Sequence, residues 1–280
     1  MKNKFIFILG VLMLSAFQLK AQNKLNYRVG YELTYKLDST DLESSKSEIM
    51  WLFANNDSSL FISRGAALKD SIKKNVIAAE IGSEKWRSKM EAAKTEFEYQ
   101  IFKNKAENKI GYGIELLSDK LYYSNFLDQI KWEIQADAKE IAGYQVQKAT
   151  SSFAGRDYIA WFTPEIPLTD GPYKFAGLPG LILELQDTEA EYVFKFAGFE
   201  ELANPLEYEI FPEKYKEVKK KELLDLLSTY ESDPISYINN YVGEGGKTVR
   251  VEIVGDDKKD YLRKHRAELA KKNNPIELEK

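Results

Sequence analysis

The chain contains no cysteine and one histidine, His265. The first absence excludes disulfides, thiolate metal sites and a lipid-modified cysteine behind a leader. A chain without such staples rests on its core alone. The lone imidazole lies in Lys264-His265-Arg266, a basic helical stretch that gives a Ser-His-Asp triad no buried partner. No Gly-x-Ser-x-Gly elbow occurs. Gly246-Lys247-Thr248 ends like a phosphate loop, but Tyr241 stands where the earlier glycine is required,. Gly111-Tyr112-Gly113 lacks the third glycine of a dinucleotide fingerprint,. No catalytic residue, metal or cofactor is assigned from these patterns. A carboxylate hydrolase or an all-oxygen calcium site stays open, because 44 acidic residues supply candidates and spacing selects none,. Proline is absent before position 164. After residue 17 no apolar run approaches the roughly 20 residues of a membrane span.

What is present begins with a leader. Lys2 and Lys4 precede an apolar run from Phe5 to Phe17, and Ala21-Gln22 offers a cleavage point,. Residues 1–21 therefore read as a signal peptide, and the mature chain is expected to be exported and soluble. Removing Lys2, Lys4 and Lys20 takes the formal charge from −4 to −7. That acidic, mixed surface argues against nucleic acid and against anionic membrane surfaces. Aromatic residues make up 13% of the chain, which points to β structure.

The clearest strand is Asn26 to Asp38, where Tyr27, Val29, Tyr31, Leu33, Tyr35 and Leu37 alternate with polar residues and glycine,. Strands are expected at 48–54, 58–64, 97–102, 109–117, 120–126, 130–134, 144–153, 156–163, 181–185, 192–199 and 248–254, with a turn or short helix at 137–143. Residues 65–95 step by three and four and predict a helical insertion. Pro212 precedes a helix expected over 213–230, and Asp233-Pro234 starts another. A last helix opens at Asp256 and stops at Asn273-Asn274-Pro275. A domain boundary near Asn204-Pro205 is weakly marked. Residues 22–280 thus read as a single β-rich domain with helical parts near 65–95 and 213–272. The fold class is mainly β (α+β): a large curved antiparallel sheet or half-barrel with helices covering one face.

One stretch differs from the rest. Residues 161–184 hold Pro164, Pro167, Pro172 and Pro179, half of the eight prolines. Leu178-Pro179-Gly180-Leu181 fits a type II turn, and Gly177 allows close backbone approach. The segment is stiff and turned, a packed corner between two strands. Glu165 and Asp170 are the charged groups beside these turns.

The string Gly-Leu-Pro-Gly-Leu-Ile at 177–182 follows Ala160-Trp161-Phe-Thr-Pro-Glu-Ile-Pro167 and Gly171-Pro172-Tyr-Lys-Phe-Ala. Together with Ile141-Ala-Gly-Tyr144, Lys148-Ala149 and Gly155-Arg156 it resembles the signature of the GLPGLI family, over about residues 141–185. Phe162 stands where that pattern has tyrosine. The resemblance implies an exported protein of Bacteroidota in the periplasm or on the cell surface. It also implies association with TonB-dependent outer-membrane receptors, and it supplies no catalytic residue. It singles out Tyr144, Arg156, Trp161, Pro164, Glu165, Pro167, Gly171, Pro172, Gly177, Pro179 and Gly180, and Phe175 joins them as a candidate contact. Three functions follow as expectations. The first is a binding or accessory protein for an apolar or peptidic ligand held by an aromatic sheet face. The second is a protein–protein adaptor presenting the 161–184 corner. The third is a hydrolase in which Glu165 and Asp170 share a cleft.

Overall fold

The computed structural model describes residues 24–41, 43–208, 215–243, 246, 248, 250–251 and 256–278. The leader lies outside the described residues. Six strands form one antiparallel meander: β1 Lys24–Tyr35, β2 Lys46–Ala54, β3 Ser58–Ser63, β4 Gln100–Asn104, β5 Lys109–Leu116 and β6 Asp119–Phe126. Five form a second: β7 Glu133–Ile141, β8 Tyr144–Phe153, β9 Arg156–Thr163, β10 Leu181–Asp187 and β11 Tyr192–Glu207. β12, Lys216–Glu217, runs parallel to β6. The sheet order is β12-β6-β5-β4-β3-β2-β1-β11-β10-β9-β8-β7. The long β1–β11 pairing, from Lys24–Glu207 to Tyr35–Tyr192, welds the two meanders. The sheet stays open, with β7 and β12 at its edges. Among the described residues, no helix is long and apolar enough to cross a membrane.

The helices are α1 Arg64–Asn75, α2 Glu84–Ala92, α3 Lys220–Ser232, α4 Pro234–Asn240 and α5 Asp256–Ala270. Ser63 caps α1 by accepting from the Ala66 N–H, and Asp233 caps α4 through Ser236. Each cap satisfies an amide that the helix start leaves unpaired.

Alternation along the strands sorts side chains into two cores. Val29, Tyr31, Leu33, Met50, Leu52, Phe61, Ile101, Tyr158, Phe162 and Phe194 belong to the main core. Leu60, Ile62 and Phe102 face the other way, against Ala66 of α1. A third small cluster joins Leu223 of α3 to Leu121 and Tyr123 of β6. The main core is covered by the Pro/Gly segment, through Ile166, Leu168, Tyr173, Phe175 and Leu178, and by Ile276 near the C-terminus. The aromatic face is therefore filled. Tyr31, Phe61, Tyr158, Phe162 and Phe175 are fully buried there, and the concave apolar pocket expected for a ligand is replaced by packed side chains.

Several expected boundaries shift. β4 begins at Gln100, three residues later than expected. Residues 137–143 are not a turn or helix: β7 continues to Ile141 across a bulge between Ile134 and Ala138. The strand is exposed along most of its length, so its backbone pairing with β8 needs no apolar alternation. The reversal is confined to Ala142-Gly143, both at positive φ, and Ala154-Gly155 turns β8 into β9 the same way,. β11 includes Asn204-Pro205, where its pairing with β1 shifts register between Glu201 and Leu206. The helix expected from Glu213 starts at Lys220. Residues 213–214 lie outside the described ones, and Lys216-Glu217 instead pair with the free edge of β6. The strand expected at 248–254 falls largely outside the described residues, and its described part is a single Val242–Thr248 bridge.

Candidate functional site

The Pro/Gly segment leaves β9 at Thr163 and enters β10 at Leu181. Its turns are tighter than the type II form. Leu168 N–H donates to Ile166 O at 2.8 Å, Asp170 N–H to Leu168 O at 2.8 Å and Gly180 N–H to Leu178 O at 2.8 Å. These are γ-turns, two of them centred on Pro167 and Pro179, where the ring already holds φ near the value such a turn needs. Gly180 (φ 143) brings the chain against Thr163, so a Cβ at position 180 would sit 2.0 Å from Thr163 O. At Gly177 (φ 94) nothing lies within 4 Å of a built Cβ. Backbone conformation, not close approach, requires glycine there. The close approach is at Gly171, whose Cβ would meet Ile182 Cδ1 at 2.7 Å.

Beneath this corner lies an ion cluster. β4 alternation points Ile101 and Lys103 into the main core, and Lys103 is fully buried. Its Nζ donates to Asp170 Oδ1 (2.8 Å), Gly171 O (2.7 Å) and Phe175 O (3.0 Å), which uses all three ammonium hydrogens. Lys105 Nζ donates to Asp170 Oδ2 at 3.1 Å. Burial pushes the Asp170 pKa up, but the two ammonium groups outweigh it and hold the carboxyl at about 2,.

Two further charges, Arg156 and Lys174, face the C-terminal segment after α5. Arg156 Nη1 donates to Asp187 Oδ2 (2.6 Å) and Glu191 Oε2 (2.7 Å). Its Nη2 donates to Asn274 Oδ1 (2.5 Å) and Pro275 O (2.9 Å). Lys174 Nζ pairs with Glu277 and donates to Tyr123 Oη at 3.0 Å. It also lies 5.5, 5.3 and 5.4 Å from the ring centres of Tyr112, Tyr123 and Tyr173, an aromatic cage around a cation. Tyr173 donates to Glu277 Oε1 at 2.6 Å from a left-handed backbone (φ 52). That conformation is strained for a bulky residue, and strain of this kind collects at working sites. Burial raises the Glu277 pKa, but Lys174, the Tyr173 hydroxyl and Lys220 outweigh it and lower it below the usual range.

The segment Asn273–Leu278 is thereby read like an extended peptide. Tyr192 Oη donates to Asn274 O (2.6 Å) and Tyr158 Oη to Ile276 O (3.1 Å). Asn274 N–H donates to Leu37 O (3.0 Å) and Leu278 N–H to Ala154 O (2.9 Å). Asn274 and Ile276 are buried with Pro275 exposed between them, an alternation that stops at Glu277, whose side chain turns inward to Lys174,. Burial raises the pKa of Tyr158 and Tyr192 above the ordinary phenol value, so each hydroxyl stays a donor.

Of the residues singled out from sequence, Arg156 contacts this segment directly. Phe175, Gly171, Pro172 and Gly180 are buried under the corner. Pro164, Glu165, Pro167, Gly177 and Pro179 lie on its outer surface. Trp161 is half-buried beneath the Lys139 ammonium, 4.4 Å from its ring centre, and Tyr144 packs edge-on against Phe196. Glu165 accepts from the Gln145 N–H at the surface, whereas Asp170 is sealed between two lysines. The two carboxylates therefore share no cleft, and the hydrolase pair is not formed. His265 lies on α5, stacked on Tyr261, with Nε2 2.7 Å from Glu231 O. Among the described residues, no group of three or more His, Asp or Glu side chains is arranged to hold a metal ion. Sequence reading missed Lys103, Tyr158, Tyr173, Lys174, Tyr192, Asn274 and Glu277. The available signal was Lys103, a charge two positions after the inward-facing Ile101 and so on the same face of β4,.

A family model described as a protein of unknown function (Porph_ging) matches residues 154–184. That block contains Arg156, Lys174 and the whole corner, and the model describes an uncharacterised family found in Bacteroidota. No curated protein matches the chain. Two solved structures of PNGF-II, in space groups C2 and P21, are similar in fold, with TM-scores of 0.53 and 0.51 and identities of 14% and 13%. The likeness covers 71% and 72% of this chain but 32% of PNGF-II in each case. The matched region is about a third of that protein, and at this identity the likeness concerns fold alone.

Proposed function

We propose that the protein is an exported envelope protein, in the periplasm or on the cell surface after loss of residues 1–21. In this reading it is a binding or accessory protein for an extended peptidic ligand. The observation that carries the reading is the capture of Asn273–Leu278. Arg156, Tyr158 and Tyr192 bind backbone carbonyls, while Lys174 and Tyr173 select a carboxylate side chain. Backbone contacts of this kind supply affinity, and pockets for alternate side chains supply specificity. The chain's own strap occupies the reader, and an incoming Asn-Pro-Ile-Glu-like segment exchanges with it. The resemblance of residues 141–185 to the GLPGLI family supports export and service to an outer-membrane TonB-dependent receptor system. An adaptor role for the corner itself is less well supported, because Phe175 is buried and Trp161 is half-covered.

The test is fluorescence anisotropy with a labelled Asn-Asn-Pro-Ile-Glu-Leu peptide. In the native chain the tethered strap competes at an effective concentration on the order of millimolar. Glu277→Gln removes the strap's charge from its pocket and frees the reader for the peptide's glutamate. Binding to this variant is expected to be at least about tenfold tighter than to the native chain, a modest demand beside the loss of one partner of a buried ion pair. An otherwise identical peptide with Gln in place of Glu is expected to lose that gain. No binding to either protein, with both folded by circular dichroism, sinks the reading.

A further inference from the structure

The chain is acidic on average, but its charge is unevenly placed. Residues 64–94 carry eight Lys or Arg against four Asp or Glu, a local +4 on a chain of formal charge −4. This is the α1–α2 hairpin. α1 rests on the sheet through Ala66, with Lys73 paired to Glu115 of β5, whereas α2 has no buried residue and leaves its end of the hairpin exposed. At the connection, Ile77 and Ile81 are 67% and 58% exposed. Behind them an apolar crevice of about 360 Å³ runs between the helices, lined by Leu68, Ile72, Val76 and Trp86 among others. Lys74, Lys85, Arg87 and Lys89 are exposed around it. Among the described residues none of the four is held in an ion pair. Glu80 in the connection and Glu84 at the start of α2 offset two of these four charges and leave the tip with its flanking turns net positive.

A projecting apolar tip ringed by unpaired cations matches one environment well. Acyl chains accept the isoleucines, the headgroup layer accepts an indole, and anionic phosphates accept lysine and arginine. We propose that the α1–α2 hairpin seats the protein on a bilayer rich in anionic lipid. Ile77 and Ile81 enter the interface, Trp86 lies at its boundary, and Lys74, Lys85, Arg87 and Lys89 meet the phosphates. The contact is peripheral, by a surface element of one short hairpin. An acidic protein surface would satisfy the cations but leaves two exposed isoleucines at a projecting turn without a role.

Co-sedimentation of the full chain with vesicles tests this. Vesicles of phosphatidylcholine with about one-third phosphatidylglycerol are expected to bind it, and phosphatidylcholine alone is not. Binding is expected to fall steeply as salt shortens the Debye length. Lys74→Glu/Lys85→Glu/Lys89→Glu should abolish binding, and Ile77→Ser/Ile81→Ser should weaken it about tenfold, the two-methyl-scale loss an interface reads. Both variants change exposed side chains, so their thermal melts should match the native chain. Bound protein should show a blue-shifted tryptophan emission that Trp86→Phe removes. Equal sedimentation of the native chain and both variants overturns the proposal. So does retention on an acidic polypeptide matrix without any vesicle binding.

Discussion

Replacing Asp170 by alanine is expected to destabilise the fold by about 3–5 kcal/mol, the loss that follows when one member of a buried ion pair is removed. Lys103 makes the effect large. Its Nζ is fully buried with three partners, one of them the Asp170 carboxylate at 2.8 Å. Without that charge the ammonium remains in a low-dielectric site with two carbonyls only. Urea melts measure the loss. A paired change, Lys103→Met with Asp170→Leu, should recover part of it, because no buried ammonium is left unpaired, while Lys105 and the backbone groups of Gly171 and Phe175 still lose a partner,. The pH dependence has a fixed sign. The Asp170 carboxyl sits at about 2 in the fold against an ordinary value of 3.8. Its stabilisation is complete above about pH 4 and is lost as the pH falls towards 2, a change on the order of 2 kcal/mol. The alanine variant should lack that part of the acid limb. An Asp170→Ala melt that overlays the native one at neutral pH would contradict this account of the corner.

Gly180→Val should be as damaging for a different reason. The new Cβ would lie 2.0 Å from Thr163 O, 2.6 Å from Thr163 C and 2.9 Å from Pro164 Cα. All three are backbone atoms, so no side-chain rotation relieves the clash. The φ of 143° is also one that L side chains rarely adopt,. A loss of about 4 kcal/mol or more is expected, in the range reserved for a few named mechanisms. Gly177→Ala is the matched comparison. At φ 94° it meets nothing within 4 Å, so it should lose only the conformational part, about 1–3 kcal/mol. Equal melts for the two variants would show that the β9–β10 contact does not exist.

The sheet was legible because its signal is local. Val29 to Tyr35 alternate in sequence and alternate in burial, and the Ala-Gly pair at 154–155 marks its own turn. β7 was hidden because an exposed edge strand is held by backbone hydrogen bonds, which leave no side-chain pattern. The corner was visible as proline and glycine, but its turn type was not: a γ-turn and a type II turn draw on the same Pro-Gly pair, and packing against Thr163 decides between them. The strap was read as a helix stop at Asn273-Asn274-Pro275. Its docking depends on partners 82 to 238 positions away, such as Tyr192 and Lys36, and no window along the chain contains them. Net charge carries no position, and an average of −4 conceals a basic hairpin.

The central claim is that the corner and its charges hold a C-terminal strap that can leave while the sheet stays folded. Amide hydrogen exchange by NMR addresses it directly. The Asn274 and Leu278 amides, bonded to Leu37 O and Ala154 O, should exchange through local opening, faster than the central β1 amides. Excess Asn-Asn-Pro-Ile-Glu-Leu peptide should speed them further. Exchange of both amides at the rate of β1, unchanged by the peptide, would mean that the strap opens only when the whole protein unfolds and that nothing takes its place.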